Sequence, residues 1–251
     1  MSVTIGSLFA GIGGFELGLE RSIPGAETIW QVEQDPFCQK VLAKHWPKAK
    51  IYNDVRAVGA DNLAPIDLLC GGFPCQDISN AGKQEGIHGK KSGLWFEMRR
   101  IINELRPRIV VMENVAAITR AGGAEVIASL ASIGYDAEWI IISAADFGAP
   151  HKRRRWFCVA YSKSFHFKSL PFNPFRVEST FELTSRSCEA GRNTKKGYWK
   201  TTRPPKPVIC GMDDGIPARL DRYRLKALGN SIVPQCSEFI GKYINGSGLL
   251  D

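Results

Sequence analysis

Short apolar runs alternate with stretches of helical spacing over the first 160 residues of this chain. Residues 3–9 (VTIGSLF) read as a strand closed by Gly11, Gly13 and Gly14, and residues 15–20 take up helical spacing behind them. Residues 28–33 (TIWQVE) predict a second strand, with Pro36 in the first turn of the helix that follows. Residues 66–70 predict a buried strand, 93–105 a helix that stops before Pro107, and 109–112 (IVVM) another apolar strand. Helical spacing covers 116–133, while 136–143 and 156–161 predict two further strands and 233–244 a closing helix. Strands separated by helices predict an α/β fold whose sheet is mostly parallel and covered on both faces.

The 251 residues and their 44% hydrophobic content supply enough apolar surface for a real core and argue against disorder. No apolar run is long enough to span a membrane, and the first residues lack the basic start of a secretory signal. Seven cysteines, an odd number without framework spacing, predict reduced thiols and a cytoplasmic location. The net charge of +8 is unevenly placed. Residues 161–206 hold ten Lys or Arg against three acids, together with Phe165, Phe167, Phe172, Phe175, Phe181, Tyr198 and Trp199. Cations interleaved with aromatics are what backbone contact and base stacking require, so this stretch is a candidate nucleic-acid contact.

Three groups of residues carry candidate chemistry. The strand, then Phe9-Ala10-Gly11-Ile12-Gly13-Gly14, then helix can bring a nucleotide-like ligand against backbone amides. Glu33 follows at the offset where an acid meets ribose hydroxyls, and Asp54 stands at the same edge; no Gly-Lys-Ser or Gly-Lys-Thr follows the loop, which disfavours ATP or GTP. Cys75 lies just past the strand 66–70, where this architecture exposes reacting groups, while the other six cysteines fall in strands, helices or the irregular region. No Cys-x-x-Cys pair exists and His45, His88, His151 and His166 are scattered, so no metal site is expected. Glu113 and Asn114 end the IVVM run, and strand alternation puts Arg153 and Arg155 on one face and Arg154 on the other.

In order, SLFAGIGGFELGLE, VEQDPF, IYNDV, LLCGGFPCQDISNAG, VVMENV, DFGAPHKRRRWFCVA and LKALGNSIVPQ resemble the motifs of the bacterial and phage cytosine-C5 DNA methyltransferase family. The resemblance implies a class I methyltransferase fold, Rossmann-like, using S-adenosyl-L-methionine. It implies a catalytic domain of residues 1–160 and 225–251 around a target-recognition region at 161–224. Phe9, Gly11, Gly13 and Gly14 would line the cofactor, Glu33 would meet its ribose and Asp54 its adenine, and Asn230 and Ser231 would complete the pocket. Cys75 matches the nucleophile that adds to C6 of a flipped-out cytosine, Glu113 the acid at N3, and Arg155 the arginine at O2. Asn114 would hold the cysteine loop and Arg153 would contact a phosphate or a loop. On the DNA side, Ser79 and Lys91 fall in the mobile loop expected at 76–93, and Lys195, Lys196 and Lys200 in the recognition region. His151 stands where the family usually has Gln, and Lys91 where it usually has Arg. The resemblance implies a monomer acting on double-stranded DNA in a modification or self-protection role, and it leaves open a cognate restriction endonuclease. The same chemistry on tRNA, and a catalytically silent DNA-binding protein on this scaffold, stay open as alternatives.

Overall fold

The computed structural model describes residues 2–74, 94–149, 151–164, 223 and 226–250. In chain order the elements are β1 (Val3–Leu8), α1 (Gly14–Ser22), β2 (Ala26–Val32), α2 (Pro36–His45), β3 (Lys50–Tyr52) and β4 (Leu68–Gly71). After these come α3 (Leu94–Leu105), β5 (Ile109–Val115), α4 (Gly123–Ala131), β6 (Tyr135–Ser143), β7 (Arg154–Ser162) and α5 (Pro234–Gly246). The strands form one sheet in the order β3-β2-β1-β4-β5-β7-β6. The first five run parallel, whereas β7 pairs antiparallel with both β5 and β6. The mostly parallel sheet expected from the pattern is therefore present, with one strand reversed and inserted between two earlier ones.

Burial follows from that topology. β4 is buried at every position and β5 at all but its last, as strands covered on both faces must be. Val110 and Met112 face one core with Trp95, Met98, Ile101 and Ile102 of α3, and Val126 and Leu130 of α4. Ile109 and Val111 face the other, with Phe15 and Leu19 of α1 and Ile240 and Ile244 of α5. Helices α1 and α5 pack closely because glycines line their contact. A Cβ on Gly18 would lie 2.1 Å from the Ser237 hydroxyl, and one on Gly241 2.0 Å from that of Ser22.

Three elements differ from expectation. Residues 116–133 do not form one helix: a 3-10 turn at Ala116–Arg120 is followed by Gly122 at φ 113°, and α4 starts afresh at Gly123. Periodicity continues across the break, but a left-handed residue cannot continue a right-handed helix. β3 is only three residues long, too short to show an alternation, and takes its place from its pairing with β2. β5 extends through Glu113 and Asn114, because β7 pairs with it as far as Val115.

Candidate active site

The C-terminal ends of β1, β2, β4 and β5 converge on one edge of the sheet, the edge where open α/β folds bind ligands. At β1 the chain turns through Phe9 (φ 57°), Gly11 (φ 58°) and Gly13 (φ 85°), all left-handed. Phe9 adopts this conformation without being glycine, at a cost of about 1–2 kcal/mol. The turn is closed by the Ala10 amide on the Val32 carbonyl at 3.1 Å and the Gly13 amide on the Ala10 carbonyl at 3.0 Å. The three glycines have different reasons to be there. A Cβ on Gly13 would fall on the Trp46 ring, and one on Gly14 would lie 2.2 Å from the Ile232 carbonyl oxygen. A Cβ on Gly11 would meet nothing within 4 Å, so its backbone faces open space.

Glu33 joins this loop to the next one. One carboxylate oxygen accepts from the Gly11 amide at 2.7 Å and the other from the Asp35 amide at 2.8 Å. The Glu33 amide in turn donates to the Tyr52 carbonyl at 2.9 Å, tying in the end of β3. Asp54 follows β3 and caps a 3-10 turn, accepting from the Arg56 amide at 3.0 Å with the Arg56 guanidinium at 3.6 Å. Asn230 and Ser231 lie on the approach to α5, where Arg153 donates to the Gly229 and Ser231 carbonyls at 2.9 and 2.6 Å.

The other half of the edge is built from β4, β5 and β7. Glu113 Oε1 lies 2.8 Å from Arg155 Nε, across the antiparallel pair. The Glu113 side chain is nearly buried, and desolvation raises its pKa above the usual carboxylate range while Arg155 and Arg153 pull it back down. Arg153 and Arg155 both act on the same carboxyl and Arg154 is exposed, but strand alternation is not the reason for Arg153, which precedes β7 and adopts φ 27°. Asn114, also buried, donates to the Phe73 carbonyl at 3.2 Å and accepts from the Val115 amide at 2.8 Å. That bond fastens the chain leaving β4 to β5, and Phe73 is further wedged against Trp95 with ring centroids 5.3 Å apart. A Cβ on Gly72 would lie 3.0 Å from Glu113 Oε2, so this strand end passes directly beside the carboxyl. The described chain stops one residue later than Phe73, at Pro74. Cys75, Ser79, Lys91, Lys195, Lys196 and Lys200 lie outside the described residues, as do residues 76–93 and most of 161–224.

The four described cysteines, Cys38, Cys70, Cys158 and Cys236, are buried free thiols. Burial pushes the pKa of all four up, to about 12 for Cys38 and Cys236, which makes thiolate formation at neutral pH negligible. Among the described residues no helix is long and apolar enough to cross a membrane. A cavity of about 250 Å³ bounded by Glu20, Thr28, His45 and Trp46 opens at the start of β2, at the far end of that strand from Glu33.

Several contacts near the site have no counterpart in the motif reading. Lys226 pairs with Asp35 at 3.0 Å across 191 residues of sequence. Trp46 underlies Gly13 and donates its indole N–H to Glu20 at 2.9 Å. Glu16, fully buried in α1, accepts from the Gln31 amide nitrogen at 3.0 Å, and burial raises its pKa to about 7. Only the helical phase, which places Glu16 one turn before Leu19, could have flagged it.

Comparison with known proteins gives a consistent result. The family model for C-5 cytosine-specific DNA methylase matches residues 3–202. Type II methyltransferase M.HhaI of Haemophilus parahaemolyticus is 33% identical over 177 residues, 68% of this chain and 53% of that relative. Type II methyltransferase M.CviJI of Paramecium bursaria Chlorella virus IL3A is 35% identical over 204 residues, 80% of this chain and 54% of that relative. Among solved structures, the S. pombe Dnmt2 methyltransferase aligns with a TM-score of 0.57 and 20% identity, over 72% of this chain and 55% of that one. At that identity the match shows the fold alone. The chain spans about half the length of the curated relatives it matches.

Proposed function

Because the chain belongs to the C-5 cytosine-specific DNA methylase family, we propose that it transfers a methyl group from S-adenosylmethionine to C5 of a cytosine in duplex DNA. The observation that carries this reading is the pairing of Glu113 with Arg155 beside the strand end that leads into Cys75. The cradle at β1 and β2 fits a cofactor with a ribose. Gly11 opens on free space, and each Glu33 oxygen that accepts a backbone amide keeps a second lone pair for a hydroxyl. In this reading Asp54, which follows β3, would meet the adenine, and Phe9, Gly13, Gly14, Asn230 and Ser231 would bound the rest. When bound, S-adenosylmethionine supplies an electrophilic methyl group.

Cytosine C5 is too weak a nucleophile to take that methyl unaided. In this reading the Cys75 thiolate adds to C6, forming a C–S bond and moving the ring electrons toward C5 and N3. Glu113 contacts N3 and offsets the negative charge that builds there; a carboxyl whose pKa burial has raised is suited to sharing a proton at that atom. Arg155 fixes the carboxyl and reaches O2 of the base. After C5 takes the methyl group, with S-adenosylhomocysteine as the leaving group, its proton leaves to a base and the C–S bond breaks, which restores aromaticity and releases the Cys75 thiolate. C6 is unreachable in a stacked duplex, so the cytosine must be flipped out. The bond from Asn114 to Phe73 positions the loop that bears the nucleophile.

Residues 161–224 form the target-recognition region in this reading, with Lys195, Lys196 and Lys200 on phosphates, and Ser79 and Lys91 contact DNA from the loop after Cys75. The Type II designation of M.HhaI and M.CviJI supports a modification role. Labelled methyl transfer to duplex DNA and to tRNA, run in parallel, tests the proposal. Label in DNA is expected; label in tRNA alone would reassign the substrate, and label in neither would make the chain a binding protein. Neutralising Lys195, Lys196 and Lys200 together is expected to weaken DNA binding and to reduce the slope of log affinity against log salt by about 0.9 per lost contact.

A further inference from the structure

Residues 226–232 return to the site from the far end of the sequence and cross it from one side to the other. At the near end Lys226 Nζ lies 3.0 Å from Asp35 Oδ2, on the residue that caps α2 and whose amide holds Glu33. At the far end the Arg153 guanidinium donates to two carbonyls of the segment two residues apart, those of Gly229 and Ser231. Just beyond them the Ile232 carbonyl is seated on Gly14, and the Ile232 side chain approaches Gly72, next to Glu113. The segment therefore touches the glycine loop, the strand end beside Glu113 and the start of β7 at once. Apolar packing holds it at Ala227, which is buried, and at Ile232, which packs partly buried against the core, whereas Leu228 is 61% exposed and Gly229 and Asn230 are exposed, so the stretch between them relies on polar contacts. Arg153 also adopts φ 27°, a left-handed conformation unusual for a long side chain, where its guanidinium makes both bonds.

We propose that residues 226–232 are a fastened wall of the cofactor cradle, and that Lys226 and Arg153 are positioning residues that set how fast the cofactor leaves. This rests on the reading of the Gly11–Glu33 cradle as the S-adenosylmethionine site. The two fastenings are unequal. The Lys226 side chain is 63% exposed, and ion pairs of that kind contribute little, so its loss shortens cofactor residence only about two- to fivefold. Arg153 makes two charge-assisted bonds from a half-buried position, and its loss is expected to speed release about 10- to 100-fold. A lysine at 153 keeps the charge but not the fork that spans both carbonyls, whereas an arginine at 226 can still reach Asp35.

The experiment combines two readouts on the full chain without DNA: amide hydrogen exchange of the peptide over 226–233, and S-adenosylmethionine release by stopped flow. Lys226→Ala, Arg153→Ala and Arg153→Lys are expected to exchange faster there while β1, β4 and β5 keep their protection, and to release cofactor faster in the same rank order. Lys226→Arg is expected to match the unsubstituted chain in both. Unchanged exchange in the alanine variants overturns the fastening. Faster exchange with unchanged release overturns the link to cofactor exit. Failure of the unsubstituted chain to bind S-adenosylmethionine overturns the cofactor reading and the link to exit, while the exchange data still judge the fastening alone.

Discussion

Glu33 and Glu113 are both acids at strand ends on the same sheet edge, yet the chain uses them differently. Glu33 spends its two oxygens on the Gly11 and Asp35 amides, joining loops that follow neighbouring parallel strands. Glu113 instead faces the Arg155 guanidinium, brought to it by a strand that runs the opposite way. The first carboxylate fixes backbone shape with one lone pair of each oxygen and keeps the other for a ligand. The second is nearly buried, raised in pKa by desolvation and ion-paired with Arg155 while Arg153 also lowers it, so it is suited to exchange a proton with something placed beside it. In the proposed function, placement of a ligand belongs to the half made of parallel strands, and charge handling to the half with the reversed strand.

That contrast can be broken at several points. Glu113→Gln keeps the shape but loses both the ion pair and the acid. We expect kcat to fall by about 10²–10³, the loss seen when one charge-stabilising group is removed, with S-adenosylmethionine affinity within about twofold. Single-turnover methyl transfer and calorimetry read the two separately; an equal loss in both would erase the division of labour.

Glu16, buried in α1 against Gln31 of β2, tests whether the cofactor half also carries a proton-sensitive group. Its pKa in the folded protein, about 7, stands above the 4.5 of an exposed glutamate, so the fold favours the neutral carboxyl. Desolvation drives this, Ser7 and Gln31 pull it back, and Glu20 pushes it further up, with the equally buried Cys70 thiol close by. Between those two values the folded state binds more protons than the unfolded chain. Its stabilising share is complete below about pH 4.5 and declines as pH rises toward 7, by about 3 kcal/mol in all. Denaturant unfolding across that window should lose this slope in Glu16→Gln; an unchanged slope would mean that other groups set it.

Asn114→Ala removes the bond to Phe73 and leaves that buried carbonyl without its donor, at about 1–3 kcal/mol of stability. In the target half this should lower kcat as well, because the chain leaving β4 loses its tether to β5. A stability loss with unchanged kcat would separate the tether from the chemistry. The smallest effect is expected at Glu33→Gln. It can still accept from one amide, so cofactor affinity should drop about tenfold, or about 1.4 kcal/mol, while kcat at saturation stays within a few-fold. A fall in kcat with intact affinity would contradict the comparison.

Much of this site is legible in the sequence because the residues concerned lie at the ends of apolar runs. The runs at 3–9, 28–33, 66–70 and 109–112 become β1, β2, β4 and β5 within a few residues, and their ends carry Gly11, Glu33, Pro74 and Glu113. What periodicity cannot give is the partner. Nothing in residues 156–161 says that they pair antiparallel between β5 and β6, and that pairing alone brings Arg155 to Glu113. The same holds for Lys226 with Asp35 and for Arg153 with the Gly229 and Ser231 carbonyls, contacts between segments far apart in sequence that only the closed fold creates. Trp46 and Glu16 were hidden for another reason. Glu16 looks like a surface acid until α1 packs against the sheet, and Trp46 like an ordinary helix-end aromatic until the end of α2 comes to lie against Gly13.

The central claim is that Cys75 attacks a cytosine held by Glu113 and Arg155. Duplex DNA containing 5-fluorocytosine tests it directly, since fluorine at C5 cannot leave as a proton does and the covalent adduct is trapped. With S-adenosylmethionine present, the unsubstituted chain should form an adduct stable to denaturing electrophoresis, and Cys75→Ser should form none. An unsubstituted chain that forms no adduct, or a Cys75→Ser chain that still forms one, would contradict the account.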